Sequence, residues 1–284
     1  ILRRNEDYPA ARALIDKTLE QFPDHHWLWL DKGQLCEEMR LHEEAAACYR
    51  RVCQALPDWH PGYTNLLGLL HRLQDRAAAQ QVMGQLDQKM PGPDRFCVRA
   101  YWSSLERDWP AVLELADRCL AEAPLHTWAR SFRAQALEAQ GRLEEAAAVW
   151  QWVVQQADPS DYYWDLAVAS LGRLGRKLED VSAFESAFQR AIEVAPDSPS
   201  LWAAMCDCFR YSGRSQDARQ YFEALYARVT DKAGLAVTVG SLLIELRLLA
   251  EARAWFEKTR AIKERPTFLD EMMTEVEQRM PASE

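Results

Sequence analysis

Apolar side chains recur along this chain at the spacing of amphipathic helices, and these helices fall into pairs. From Trp202 to Phe209 the apolar residues stand at positions i, i+3, i+4 and i+7, which form one face of an α-helix. Gly213 follows as a turn residue, and a second apolar stripe begins with Ala218 and Phe222. Because two helices joined by a short turn pack in opposite directions, this segment is predicted to be an antiparallel helical hairpin.

The hairpin pattern returns at a nearly fixed period of roughly thirty-four residues. The second helix of most copies carries an alanine at the same place, namely Ala11, Ala45, Ala79, Ala146, Ala218 and Ala252. A larger apolar residue follows each alanine by one helical turn, namely Ile15, Tyr49, Met83, Trp150, Phe222 and Phe256. Such a period indicates stacked copies of one helix pair, in which each copy contacts only its neighbours.

One copy shows the full pattern in Trp29, Gly33, Ala45, Tyr49 and Pro57. This pattern resembles the tetratricopeptide repeat, whose first helix carries a tryptophan and a small residue and whose second helix carries an alanine, an aromatic residue and a proline. The resemblance extends over nearly the whole chain. It implies an all-α fold, a right-handed α-solenoid of about seven helix-turn-helix repeats with an N-terminal half repeat and a C-terminal capping helix.

We expect residues 1–284 to form a single solenoid. The predicted units are a half repeat over 1–23, repeats over about 24–57, 58–91, 92–124, 125–159, 160–196, 197–230 and 231–265, and a capping helix over 267–281. Two repeats depart from the pattern. The third has Val112 at the alanine position, and the fifth has Phe184 there and an insertion near Arg176–Asp180. This insertion is predicted to lengthen a helix or a loop.

The two ends of the chain differ in their patterns. Ala11 and Ile15 belong to a second helix, and counting back places Leu2 in a first helix that is almost entirely missing. We therefore expect the native polypeptide to continue upstream of Ile1. Near the C-terminus an apolar stripe opposes acidic side chains, which predicts an amphipathic helix that caps the array. This stripe consists of Leu269, Met272, Met273 and Val276.

Composition and charge restrict the class of protein and the class of partner. Apolar residues make up 48% and charged residues 27% of the chain, as in folded globular proteins. The formal net charge of −9 argues against nucleic acid, whose phosphates require a basic surface, and is compatible with a basic or neutral protein or peptide. The uncharged run from Ala233 to Ile244 is too short to span a bilayer, so we expect no direct membrane insertion.

Candidate chemical motifs are incomplete. His42 and Glu43 resemble the start of a zinc-protease motif, but no second histidine follows at the required spacing. The seven cysteines contain no CxxC pair, which predicts reduced thiols in a cytoplasmic protein, with the bacterial periplasm as the alternative. With no nucleophile, phosphate loop or ligand set in evidence, we expect no catalytic residue, no metal and no cofactor, and we expect the protein not to be an enzyme.

The resemblance also implies where a ligand binds. In tetratricopeptide repeat proteins the first helix of each pair lines a concave groove that holds extended peptides or helices. The exposed first-helix positions are the candidate peptide-binding residues, namely Asn65, Arg72, Tyr101, Gln135, Asp165, Arg173, Asp207, Arg210 and Tyr211. The arginines can bind a carboxylate, and the amides can bind a peptide backbone. Trp27 and Trp128 are assigned either to the groove or to the core or rim.

These observations predict a non-catalytic scaffold or adaptor that binds a peptide or helix of a partner protein in its groove. Two alternatives stay open. The chain is either the substrate-recognition or regulatory arm of a larger enzyme, of the glycosyltransferase, hydroxylase or sulfotransferase type, or a bacterial envelope assembly or secretion factor.

Overall fold

A computed structural model describes residues 8–245, 248–261 and 268–279 of the chain. These residues form α-helices and two short 3-10 segments and contain no β-strand, which confirms the predicted all-α fold class. Within the same residues, no helix has both the length and the apolar composition needed to cross a bilayer. Leu2 and Ile1 lie outside the described residues, so the expectation of an upstream continuation stays a prediction.

The chain divides into two compact units, one ending at Gln140 and the other beginning at Gly141. The helices of the first unit are α1 (Tyr8–Gln21), α2 (His26–Glu38), α3 (His42–Ala55), α4 (His60–Arg72), α5 (Arg76–Gly84), α6 (Leu86–Lys89), α7 (Asp94–Leu105), α8 (Trp109–Glu122) and α9 (Thr127–Ala139). The expectation of one continuous solenoid over the whole chain stays a prediction.

The second unit is built in the same way. Its helices are α10 (Leu143–Gln156), α11 (Tyr162–Lys177), α12 (Glu185–Val194), α13 (Pro199–Tyr211), α14 (Ser215–Tyr226), α15 (Lys232–Glu245), α16 (Leu249–Glu257) and α17 (Phe268–Arg279). The 3-10 segments are Val181–Phe184 and Lys258–Ala261.

Helices that follow one another in sequence pack against one another. In the first unit α2 packs on α3, α3 on α4, α7 on α8 and α8 on α9. The first helices of successive pairs also touch, α2 with α4, α4 with α7, and α7 with α9 in the first unit, and α11 with α13 and α13 with α15 in the second. Each unit is therefore a stack of helical hairpins whose first helices lie side by side.

Small residues allow the two helices of a hairpin to approach closely. A methyl group built on Gly33 of α2 would lie 2.3 Å from a ring carbon of Tyr49 on α3. Gly240 of α15 stands in the same relation to Phe256 on α16, also at 2.3 Å. Both rings are fully buried, which makes these glycines necessary for the packing.

Six turns that follow a first helix use the same backbone conformation. One residue in each turn has a positive φ between 55° and 77°, namely Arg40, Gln74, Arg107, Gly141, Glu179 and Gly213. In five of these turns, all except the one at Gly141, the next residue donates its N–H to a carbonyl five positions earlier, for example Leu41 to Cys36 at 2.8 Å. This is the Schellman arrangement, which satisfies carbonyls left unpaired at a helix end.

The fifth predicted repeat departs from the other hairpins. Its insertion lengthens α11, which runs for 16 residues to Lys177. The 3-10 segment that precedes α12 contains Phe184, and the ring of Phe184 and the backbone of Val181 pack against Gly175 near the end of α11. In this repeat the 3-10 segment therefore makes the close contact with the end of the first helix.

A side chain of the first helix is bonded to the loop that precedes it. The indole N–H groups of Trp29 and Trp202 donate to the carbonyl oxygens of Pro23 and Pro196, at 2.8 and 2.7 Å. Arg130 of α9 donates in the same way to the Pro124 carbonyl oxygen at 2.7 Å. In all three cases the donor lies six residues after the proline, and we call this bond the proline tether.

The last helix, α17, packs on α16 and buries Met273 and Val276. Its polar side chains include Asp270 and Glu271, which are exposed. The side chain of Leu269, also assigned to the apolar stripe, lies outside the described part of the chain. The expectation that this helix caps the array stays a prediction.

Candidate ligand-binding face of the first helices

Asn65 lies half-buried on α4, and its amide is engaged within the protein. Its Nδ2 donates to the Pro61 carbonyl oxygen at 2.8 Å, and its Oδ1 accepts from Nε2 of Gln34 on α2 at 3.4 Å. The first bond is a short local one, and the second connects two neighbouring first helices. A peptide that binds here can use the remaining hydrogen-bonding capacity of the Asn65 amide.

Arg72 and Tyr101 come together on α4 and α7. A methyl group on Gly68 would lie 2.9 Å from the Tyr101 hydroxyl and 3.6 Å from Nη1 of Arg72, so the missing side chain of Gly68 makes room for both. Arg72 forms an ion pair with Glu37 on α2, and Glu37 also accepts a hydrogen bond from the Tyr49 hydroxyl at 2.5 Å. Burial raises the pKa of Tyr101, and the charge of Arg72 opposes this shift.

The two tryptophans of uncertain assignment have opposite environments. Trp128 on α9 is 8% exposed and packs against the rings of His60 and Phe132, with ring centroids 4.3 and 5.6 Å away, so it belongs to the core. Trp27 on α2 is 61% exposed and makes an edge contact with Trp59 at 4.6 Å. Only Trp27 of this pair is available to a ligand.

In the second unit Arg176 and Asp207 form an ion pair between α11 and α13. Arg173, one turn before Arg176, is half-buried and donates from Nη2 to the Ser170 hydroxyl at 3.4 Å. Asp207 is therefore neutralised by a neighbouring helix, and Arg173 is partly held by its own helix.

Arg210, Tyr211 and Glu245 form a second group in this unit, which we call the Arg210 cluster. Nη2 of Arg210 donates to the Tyr211 hydroxyl at 2.9 Å, and its guanidinium carbon lies 4.8 Å from the centre of the Tyr211 ring. Nη1 forms an ion pair with Glu245 of α15. The hydrogen bonds to Tyr211 and Glu245 raise the pKa of Arg210. The Tyr211 side chain remains 52% exposed.

Two candidates lie outside these groups. Gln135 is half-buried on α9, and Asp165 is exposed on α11. Within the described residues neither is hydrogen-bonded or ion-paired to another candidate. Their role in ligand binding stays a prediction.

The sequence interpretation did not anticipate that most charged candidates are paired. Glu37, Arg176 and Glu245 are their partners, at sequence separations of 35, 31 and 35 residues. Because these separations are close to one repeat, opposite charges one period apart are the signal that could have revealed the pairs. A ligand carboxylate must compete with an internal carboxylate for Arg72 and Arg210.

Known protein families and known protein sequences were compared with this chain. A sequence model of the tetratricopeptide repeat family matches residues 1–58 and 207–266. Comparison with curated protein sequences gives no match.

Several solved structures are similar to this chain. A chain of the APC/C hetero-tetramer Cut9-Hcn1 is 10% identical with a TM-score of 0.46, and the alignment covers 97% of this chain and 47% of that one. This chain thus spans about half the length of that chain. A tetratricopeptide repeat protein from Parabacteroides merdae ATCC 43184 is 15% identical with a TM-score of 0.41, covering 89% and 98% of the two chains. YrrB, described as a TPR protein with an unusual peptide-binding site, is 17% identical with a TM-score of 0.37, covering 66% and 95%.

The family match falls at both ends of the chain. In each matched segment a first-helix glycine receives a buried aromatic ring of the second helix, Gly33 with Tyr49 and Gly240 with Phe256. The described residues between the two segments are also helical. The sequence match therefore identifies tetratricopeptide repeats in these two segments of the chain.

Proposed function

We propose that this protein is a non-catalytic adaptor that binds a peptide or helix of a partner protein on the face formed by its first helices. The tetratricopeptide repeat is a scaffold for protein–protein interaction, and this supports the general class. The observation that carries the proposal is the Arg210 cluster, where an exposed tyrosine is held by an arginine on the same helix.

Arg210 and Tyr211 have the properties of an interface hot spot. Tyrosine and arginine are enriched among residues that contribute most of the binding free energy in protein complexes. The hydrogen bond and the cation–π contact between them restrict both side chains before binding, which lowers the entropy that a complex must lose. The exposed half of the Tyr211 ring is therefore a pre-organised contact surface.

The charges around this surface favour a basic or neutral peptide. Glu245 can exchange part of its interaction with Arg210 for a lysine or arginine of the partner, and the net charge of −9 attracts a basic segment over a longer range. The same charge disfavours nucleic acid. We place the adaptor in the cytoplasm, because its seven cysteines are all buried thiols, as expected of a protein in a reducing compartment.

The test is a screen of a random peptide library against the whole chain, followed by affinity measurements on the selected peptides. Substitutions Tyr211→Ala and Arg210→Glu should each weaken binding about tenfold or more, the loss expected for a hot-spot residue. The matched control is Tyr162→Ala, which removes another exposed tyrosine, 81% exposed, at the start of α11.

Circular dichroism checks that each variant keeps its helices. A peptide that binds wild type and Tyr162→Ala equally and both Arg210-cluster variants weakly supports the proposal. If no peptide is selected, or if all three variants bind like wild type, this function and this surface are wrong.

A further inference from the structure

Two cysteines and a histidine converge inside the first unit. Sγ of Cys97 lies 3.5 Å from Sγ of Cys119, and a ring nitrogen of His126 lies within 4.8 Å of both sulfur atoms. Both thiols are fully buried, and the histidine side chain is 19% exposed. Elsewhere in the described residues no other group of three histidine, cysteine or acidic side chains brings its ligand atoms together in this way.

Three different elements supply these side chains. Cys97 lies in the first part of α7, Cys119 in the last turn of α8, and His126 is the residue that caps the N-terminus of α9. The cluster therefore connects one hairpin to the first helix of the next. A ligand bound by all three side chains would hold α7, α8 and α9 together.

Cys97 stands where other hairpins have the donor of the proline tether. It lies six residues after Pro91, as Trp29 lies six residues after Pro23. In this hairpin Arg95 makes the bond instead, donating to the Pro91 carbonyl oxygen at 2.6 Å. A small thiol replaces a bulky indole here and reaches the side chain of Cys119.

Asp94 holds the ring of His126. Nε2 of His126 lies 2.6 Å from Oδ1 of Asp94, and Nδ1 accepts from the Ala129 N–H at 3.3 Å. The neutral ring therefore carries its proton on Nε2 and donates it to the carboxylate. A histidine that donates one ring N–H to a carboxylate and presents its other nitrogen is the usual arrangement of a histidine metal ligand.

We propose that Cys97, Cys119 and His126 bind one Zn²⁺ ion, with Asp94 as the positioning residue for His126. Two thiolates and an imidazole are a ligand set that zinc prefers. In a tetrahedral site with Zn–S distances of about 2.3 Å, two sulfur ligands lie about 3.8 Å apart. The observed sulfur separation of 3.5 Å is close to this value.

Binding exchanges protons and one weak hydrogen bond for three metal bonds. The thiols of Cys97 and Cys119 each lose a proton to solvent, so that two thiolates balance the charge of Zn²⁺. Nδ1 of His126 exchanges the 3.3 Å bond from Ala129 for the metal, while Nε2 keeps its bond to Asp94. The exposed edge of His126 gives the ion a path to the site, and water occupies the fourth position.

The test titrates the metal-free full chain with Co²⁺ under a phosphine reductant, which keeps the thiols reduced. Thiolate-to-cobalt charge-transfer absorption should saturate at one Co²⁺ per chain and disappear when one equivalent of Zn²⁺ is added. A competing chromophoric chelator then gives the Zn²⁺ affinity.

Four variants distinguish metal binding at this site from metal binding by other thiols of the chain. Cys119→Ser and His126→Asn should each lose the 1:1 absorption, and asparagine at position 126 still provides an oxygen that caps α9. Asp94→Asn should weaken Zn²⁺ binding by about 10–100-fold. The control is Cys208→Ser, which changes another fully buried thiol in the second unit and should bind like wild type.

Three outcomes overturn the proposal. One is a wild-type chain with reduced thiols and no charge-transfer absorption. Another is an absorption that survives in both Cys119→Ser and His126→Asn while circular dichroism shows that these variants are folded. The third is equal loss in Cys208→Ser.

Discussion

The α2–α3 and α11–α12 hairpins place a glycine of the first helix against a buried ring at different positions. In α2–α3 the small residue, Gly33, lies in the middle of the first helix and receives the ring of Tyr49 from the second helix. In α11–α12 the residue at the predicted alanine position is Phe184, and its ring meets Gly175 in the last turn of a longer first helix. Both the large residue and the glycine therefore lie nearer to the turn in α11–α12 than in α2–α3.

This difference shows which property of the repeat the packing requires. In both hairpins a position without a side chain lies opposite one buried ring, and a side chain at that position would occupy the space of the ring. Neither hairpin needs that position at a fixed place in the helix. The insertion before Asp180 is accommodated because the pair of small and large residues moves together.

Removal of the two buried rings should lower the stability of the protein more than any other change in these hairpins. Tyr49→Ala and Phe184→Ala should each lower the free energy of unfolding by about 3–5 kcal/mol, since each leaves a cavity in a buried hairpin. Denaturant titration followed by circular dichroism measures both. If Phe184→Ala costs less than about a third of Tyr49→Ala, the two rings do not have equivalent roles.

A methyl group added at Gly33 of the α2–α3 hairpin should lower the free energy of unfolding somewhat less. Gly33→Ala places a methyl group 2.3 Å from a buried ring, and we expect a loss of about 2–3 kcal/mol, as for other overpacked cores. Gly84→Ala is the control, because a methyl group there meets no atom within 4 Å. Equal stability of the two variants would show that Tyr49 can move aside freely.

Two glycines three positions apart on α11 test the irregular hairpin. At Gly175 a methyl group would lie 2.9 Å from the Cα atom of Val181, so Gly175→Ala should destabilise by about 1–2 kcal/mol. At Gly172 it would meet only the end of the Arg176 side chain at 3.9 Å. Gly172→Ala should therefore stabilise the helix by about 0.5–1 kcal/mol. Thermal unfolding of the two variants should shift in opposite directions.

Substitutions in the turns should change the free energy of unfolding least. Both hairpins have a left-handed residue in the turn. Arg40 and Glu179 both have left-handed backbones, with φ of 60° and 55°. Arg40→Gly and Glu179→Gly should each stabilise by about 0.5 kcal/mol, because glycine avoids the steric cost of this conformation. Gly213→Ala is the counterpart: its methyl group has open space, so any loss of stability comes from the backbone alone.

The periodic part of the fold was readable from the sequence because it depends on residue size at fixed spacing. The alanine and aromatic positions predicted the hairpins, and Gly213 predicted the left-handed turn that the structure has there. The left-handed turns at Arg40 and Glu179 were not predictable in the same way, since their side chains carry no turn preference. The local hydrogen bonds of Leu41 to Cys36 and of Asp180 to Gly175 accompany that conformation.

The candidate site was predictable only in part. Register placed Arg210 and Tyr211 on a first helix, but it could not show that they bind each other or that Glu245 joins them. Rotamers and cross-helix distances decide such contacts. The Cys97–Cys119 pair illustrates the same limit, because 22 residues separate two thiols that show no motif spacing.

The proline tether has a consequence for the order in which the chain folds. Its donor and acceptor are six residues apart, so each bond can close from a short stretch of newly synthesised chain. Where the tether is present, the contact between a first helix and its preceding loop therefore needs no residue of the second helix. A hairpin with this tether can form the contact locally, which reduces the number of wrong stackings open to it in a growing repeat array.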